Sequence, residues 1–331
     1  MKALIYRGSH VLEFSDAADP VPQPDEVLVA VEAVGICGSD MHAWHGHDER
    51  RPAPLILGHE AAGRIVTGPR KGERVTINPL VTCGRCDACV SGRSNVCGAR
   101  QIISMPPREG AFAQLVRIPE RNVVTIPPGM PVVKAALAEP VAVSYHAVVL
   151  AMRALHRPLP RARCIVIGGG AIGLAAALCL RMFGAMSVDI AESNVARHAA
   201  IEAAGPFKVY ALGPPDDAEP ASTDLVIDAV GSNATRTSAS RLVRPGGVIV
   251  HTGLQGGGGG LNIRRLTLRE VTFIGTYAYT MADFRETVAA LASGQLGPLN
   301  WFEERPLAAG AAAFSDLDQS RCAMPKIVLR P

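Results

Sequence analysis

Four cysteines, Cys83, Cys86, Cys89 and Cys97, follow the spacing C-x2-C-x2-C-x7-C. Four thiolates on one short loop can close a tetrahedral shell around zinc and leave no position for water, so this spacing predicts a structural site. Four free thiols are the weaker reading of this spacing, and a nucleic-acid zinc module fits less well because the loop carries little basic charge and lies inside a longer domain. A second set is dispersed. Cys37 lies in Gly35-Ile36-Cys37-Gly38-Ser39-Asp40-Met41-His42, His59 and Glu60 lie in Gly58-His59-Glu60-Ala61-Ala62-Gly63, and Glu139 lies in Ala138-Glu139-Pro140. Taken singly, a Cys in an apolar stretch and an isolated His are ordinarily core or surface residues.

Gly168-Gly169-Gly170-Ala171-Ile172-Gly173 carries the G-x-G-x-x-G spacing between the apolar run Cys164-Ile165-Val166-Ile167 and an Ala/Leu-rich stretch. In that frame Gly168 makes the tight turn, Gly170 lets the backbone approach a pyrophosphate, and Gly173 allows close helix–strand packing, with the helix N-terminus facing the phosphates. An acidic residue roughly 20 positions on should bind the ribose 2′-hydroxyl. Glu192 suits this better than Asp189, which falls inside the run Ser187-Val188-Asp189-Ile190. Its carboxylate would repel a 2′-phosphate and so favours NAD over NADP, although Arg197 and His198 are cations that could serve one. Val230 and Thr252, after later strands, complete the candidate cofactor contacts.

These residues need a scaffold. With 331 residues, the chain has room for about two domains. It is 48% hydrophobic and 19% charged with 33 Gly and 25 Pro, a turn-rich globular profile that excludes disorder and collagen. A net charge of +3 spread along the chain offers no field for nucleic acid. The N-terminal apolar segment meets Arg7-Gly8 at once, and no apolar run reaches membrane-spanning length, so a cytoplasmic protein is expected.

Residues 1–142 read as short strands (Val27–Val31, Arg64–Val66, Arg74–Ile77) between Gly and Pro turns. A helix is expected from Glu139 to about Leu155. Strands near Val188, Val209, Leu225–Ile227, Val248–Val250 and Val271–Ile274 then alternate with helical stretches, which predicts an α/β fold with a doubly wound parallel sheet. The five glycines Gly256 to Gly260 read as a connector.

In this order, the Cys37 and His59 segments, the four-Cys lobe, Glu139-Pro140 and the glycine turn resemble the zinc-dependent medium-chain alcohol and polyol dehydrogenases. The resemblance covers essentially the whole chain and is closest to the sorbitol and L-idonate 5-dehydrogenase branch. It implies a GroES-like β-rich catalytic domain (1–142), a Rossmann domain (143–280) and a return segment (281–331). It also implies a homodimer or homotetramer and one catalytic plus one structural zinc per chain. Carried over by position, Cys37, His59 and Glu60 become catalytic zinc ligands, and Glu139 an exchanging ligand or a partner of the zinc-bound water. Ser39 and His42 become a proton relay, Asp40 the carboxylate orienting His59, and Lys326 a cation near the cofactor pyrophosphate. His45 and His47 match no ligand and read as solvated.

The substrate positions depart from the pattern. Ala43 replaces an aromatic, Ile102 and Met105 stand where sorbitol dehydrogenase has Phe and Thr, and Tyr277-Ala278 replaces Phe-Arg, which removes the Arg. Each polar contact left unmade would cost a polyol about 1–3 kcal/mol. The expected activity is hydride transfer between NAD and a secondary alcohol: a polyol, a sugar acid or something simpler. An L-threonine dehydrogenase-like enzyme and a non-catalytic nicotinamide-binding protein remain the alternatives.

Overall fold

The apolar run before the glycine turn forms Arg163–Ile167, an inner strand of a six-stranded sheet in the computed structural model of the chain, which describes residues 1–211 and 220–331. Every pairing in this sheet is parallel, in the order Lys208–Tyr210, Ser187–Ala191, Arg163–Ile167, Thr223–Asp228, Val243–His251, Thr272–Gly275. Cys164 to Ile167 and Leu225 to Ile227 are 0 to 1% exposed, as strands covered on both faces must be. The Ala/Leu stretch forms the helix Ala171–Met182, whose composition favours helix and whose Gly173 to Leu180 are all buried.

The chain divides into two compact units. One comprises Met1–Pro140, Tyr279–Gly294 and Phe302–Pro331, the other Val141–Ala278 and Gln295–Trp301. The sequence reading placed 281–331 in a single return segment. Gln295–Trp301 instead groups with the second unit, where the indole of Trp301 is buried.

In the first unit, an antiparallel sheet centres on Glu26–Gly35, which pairs with Glu60–Ile65 and with Leu115–Pro119. Glu26–Gly35 also meets Lys326–Arg330, which in turn runs parallel to Phe302–Pro306. Leu4, Ile65, Ile77, Phe112, Ile118 and Phe314 fill the core beneath. The register brings Gly35 opposite both Glu60 and Val328, so three distant segments converge beside Cys37. Among the described residues no helix is long and apolar enough to cross a membrane.

Candidate metal centres and cofactor cradle

Cys37 caps the short helix Gly38–Trp44, and the Cys37 N–H donates to Asp40 Oδ2 at 3.0 Å. Asp40 is fully buried. Its Oδ1 accepts from the Gly58 N–H at 3.3 Å and lies 3.4 Å from His59 Nδ1, so one carboxylate ties the Cys37 turn to the His59 strand. The ligand atoms of Cys37, His59 and Glu60 all fall within 4.8 Å of one another. Burial pulls the His59 imidazole down, but Asp40 and the Cys37 sulfur outweigh it and hold it well above its usual range. A thiolate, an imidazole and a carboxylate are a donor set that suits zinc with an open position.

Glu60 is fully buried, and both its oxygens accept from Lys326 Nζ at 2.7 Å. Lys326 Nζ also donates to the Ile36 carbonyl at 2.9 Å. The expectation of a cation at the cofactor pyrophosphate is thus corrected: this ammonium is 3% exposed and committed to Glu60. Gly35 makes the room, since a Cβ there would lie 2.0 Å from Glu60 Oε2. Glu139 lies outside the three-ligand group, and its Oε1 accepts from the Tyr279 hydroxyl at 2.9 Å. Burial pushes Glu139 up to about 7, helped by the charge of Glu60 and opposed by His59, the Tyr279 hydroxyl and Lys326.

Ser39 and His42 both lie on the Cys37 helix. Partial burial lowers the His42 imidazole, and His47 and His45 add to this. Arg51, only 3% exposed, donates from Nη1 to the Ser39 carbonyl at 2.5 Å and from Nε to the Ser104 carbonyl at 3.0 Å. Nothing in the hydrophilic run Asp48-Glu49-Arg50-Arg51 marks it as buried. Tyr279 was equally unmarked, whereas the Gly35 beside Cys37 was a usable hint of close packing. His45 pairs with Asp318 at 2.7 Å, and His47 is exposed.

The four lobe cysteines are free thiols, with Sγ separations of 3.9 Å (Cys83–Cys89), 3.5 Å (Cys86–Cys89), 3.7 Å (Cys86–Cys97) and 3.6 Å (Cys83–Cys97). Zinc–sulfur bonds of about 2.3 Å in a tetrahedron set sulfurs about 3.8 Å apart. The lobe has that shape, and the Arg85 and Cys86 N–H groups bring the Cys83 thiol down to about 6.

In the second unit the cofactor candidates gather at the carboxyl ends of the parallel strands. Gly168 turns with φ 96°, Gly170 has open space where a Cβ would be, and a Cβ on Gly173 would lie 1.7 Å from the Gly168 carbonyl oxygen. Ile172 sits in the first helical turn, where its carbonyl accepts from Ser144 Oγ. Glu192, just past Ser187–Ala191, accepts from the Gly169 N–H at 2.7 Å and from the Asn194 N–H at 2.6 Å. Arg197 stands 3.9 Å from its Oε2. Val230 follows Thr223–Asp228, and Thr252 follows Val243–His251.

The candidate pocket positions lie in both units. Ala43 is 1% exposed in the core of the first unit, which corrects its assignment to the pocket. Ile102 and Met105 are half-buried in the first unit, while Tyr277 and Ala278 belong to the second.

Two family models match the chain: the alcohol dehydrogenase GroES-like domain over residues 23–128 and the zinc-binding dehydrogenase over residues 171–293. The chain is 32% identical to the L-galactonate-5-dehydrogenase of Escherichia coli K12 over 313 residues, covering 89% of this chain and 88% of that one. It is also 32% identical to the sorbitol dehydrogenase of Bacillus subtilis 168 over 311 residues, covering 89% and 86%. A dehydrogenase from Sinorhizobium meliloti 1021, solved with NADP, superposes with a TM-score of 0.89 at 27% identity over 100% of this chain and 99% of that one. The chain belongs to the zinc-binding alcohol dehydrogenase family.

Proposed function

We propose that the protein oxidises a secondary alcohol of the polyol or sugar-acid class to its ketone, with NAD as acceptor, one catalytic zinc on Cys37, His59 and Glu60, and one structural zinc on the four-cysteine lobe. The observation that carries the reading is the convergence of those three ligand atoms within 4.8 Å in a buried setting. The sugar-acid and polyol relatives support the substrate class. The buried Glu192 carboxylate, just past its strand, supports NAD over NADP.

When bound, zinc supplies Lewis acidity toward the alcohol oxygen and the dinucleotide supplies the hydride acceptor. The chain's own part is to position and to move protons. Asp40 faces the His59 ring from 3.4 Å, Lys326 neutralises Glu60, and Gly168, Gly170 and Gly173 let the backbone receive the pyrophosphate. Ser39 passes the alcohol proton toward His42, whose lowered imidazole is ready to accept it near neutral pH. The sheet edge Thr272–Gly275, with Phe273 40% exposed, supports a homodimer or homotetramer. Eight free cysteines suit a reducing, cytoplasmic setting.

The test is zinc content per chain together with NAD reduction on a panel of polyols, aldonic acids, threonine and simple secondary alcohols, repeated with Cys37→Ser. Two zinc ions, with one lost along with turnover in the variant, are expected. Turnover that survives the substitution overturns the reading.

A further inference from the structure

We infer that Tyr279 is a positioning residue that holds Glu139 off the metal at rest. The inference rests on the zinc reading above, with Cys37, His59 and Glu60 as ligands, and says what keeps the second carboxylate from joining them.

Tyr279 is 1% exposed, and its hydroxyl donates to Glu139 Oε1 at 2.9 Å. Its ring stacks on Phe284 with centroids 5.5 Å apart and planes 15° from parallel. Its backbone is fixed on both sides. Ala278 before it adopts the left-handed region at φ 47°, a conformation that costs a non-glycine residue and persists only where neighbours enforce it. Thr280 after it caps the helix Met281–Ala292 in a reciprocal pair with Asp283. The phenol is therefore an immobile donor.

Glu139 is 7% exposed in the first turn of the helix Ala138–Ala154, and a glutamate has rotatable bonds enough to reach a neighbouring cation. Its Oε1 is committed to the phenol, and its ligand atoms fall outside the group formed by Cys37, His59 and Glu60. Without the hydroxyl, a buried carboxylate has lost its donor and gains most by moving onto the metal. There it would fill the position that the alcohol oxygen needs.

The experiment places cobalt in the Cys37 site, leaves zinc in the four-cysteine lobe, and records the visible cobalt bands and the rate at which a chelator removes the metal. Tyr279→Phe is expected to shift the bands toward a higher coordination number and to slow release by about tenfold, the scale on which partners of metal ligands act. Turnover should fall in kcat more than in KM. Glu139→Gln in the parent chain should leave release unchanged, and Tyr279→Phe/Glu139→Gln should return it to the parent rate. Unchanged bands and release in Tyr279→Phe overturn the inference, as does faster release in either single variant, since that would put Glu139 on the metal already. Cys37→Ser is run alongside. If it takes up as much cobalt as the parent, the zinc reading has failed and this inference falls with it. If uptake requires Cys37 while Tyr279→Phe changes nothing, only the role of Tyr279 is overturned.

Discussion

Replacing Lys326 by Met tests the charge balance of the buried site directly. The ammonium and the Glu60 carboxylate have side chains 3% and 1% exposed, at 2.7 Å. Removing one partner of such a pair strands the other charge and costs about 3–5 kcal/mol, whereas replacing both with apolar groups is close to neutral. In a unit of this size each kcal/mol lowers the melting temperature by about 2–4 °C, so Lys326→Met should melt roughly 6–20 °C below the parent. Lys326→Met/Glu60→Leu should recover most of the loss, and zinc should shrink the loss in the single variant because a cation beside the same carboxylate takes over part of the role. Burial pulls the Lys326 ammonium down, but Glu60 and Cys37 outweigh it and hold it above its ordinary value of 10.5. The stability it contributes is therefore fully present below that value and is lost only as pH rises through the raised one. Calorimetry of the three chains near neutral pH, with and without zinc, is the assay. A Lys326→Met melt within about 2 °C of the parent, less than about 1 kcal/mol on the same scale, would refute the assignment.

Cys97→Ser should release one zinc per chain while NADH binding by the second unit persists; metal analysis showing unchanged zinc would remove the lobe as a metal site. Gly173→Ala must fit a Cβ 1.7 Å from the Gly168 carbonyl oxygen. Overpacking strain of about 1–3 kcal/mol should weaken NADH binding by roughly 5- to 150-fold in fluorescence titration, and parent-like affinity would contradict the cradle. His42 is lowered from 6.5 by burial and by its histidine neighbours, so alcohol oxidation should fall only as pH drops below that value and the base becomes protonated. His42→Gln should abolish that acid limb in the kcat profile, and a profile identical to the parent's would dismiss the relay.

Periodicity and turn residues were enough to read the second unit from sequence, because a parallel sheet is built from local strand–helix repeats whose apolar runs are unambiguous. The sheet strands all appear where the alternation put them, and Glu192 stands just past its strand. The clustering of Cys83, Cys86, Cys89 and Cys97 was legible for the same reason, the four being neighbours in the chain. What could not be read are pairings made across hundreds of residues. Lys326 looks like any lysine until its strand is laid against Glu26–Gly35, and Arg51 and Tyr279 carry no local signal of the carbonyls and carboxylate they meet. Ala43 failed differently: its position relative to Cys37 transferred from the family outline, but its side chain faces the core.

The pairing of Lys326–Arg330 with Glu26–Gly35 also dictates an order of events during synthesis. Lys326 reaches the Ile36 carbonyl across 290 residues of chain. The sheet of the second unit, whose strands all lie between Arg163 and Gly275, can be assembled before Lys326 leaves the ribosome. Until then the first unit lacks the strand that pairs with Val34 and Gly35, and its Glu60 carboxylate has no ammonium beside it. A nascent chain in that state carries a carboxylate that only a cation at the proposed metal site could balance, so on that reading zinc present during translation should raise the yield of folded protein.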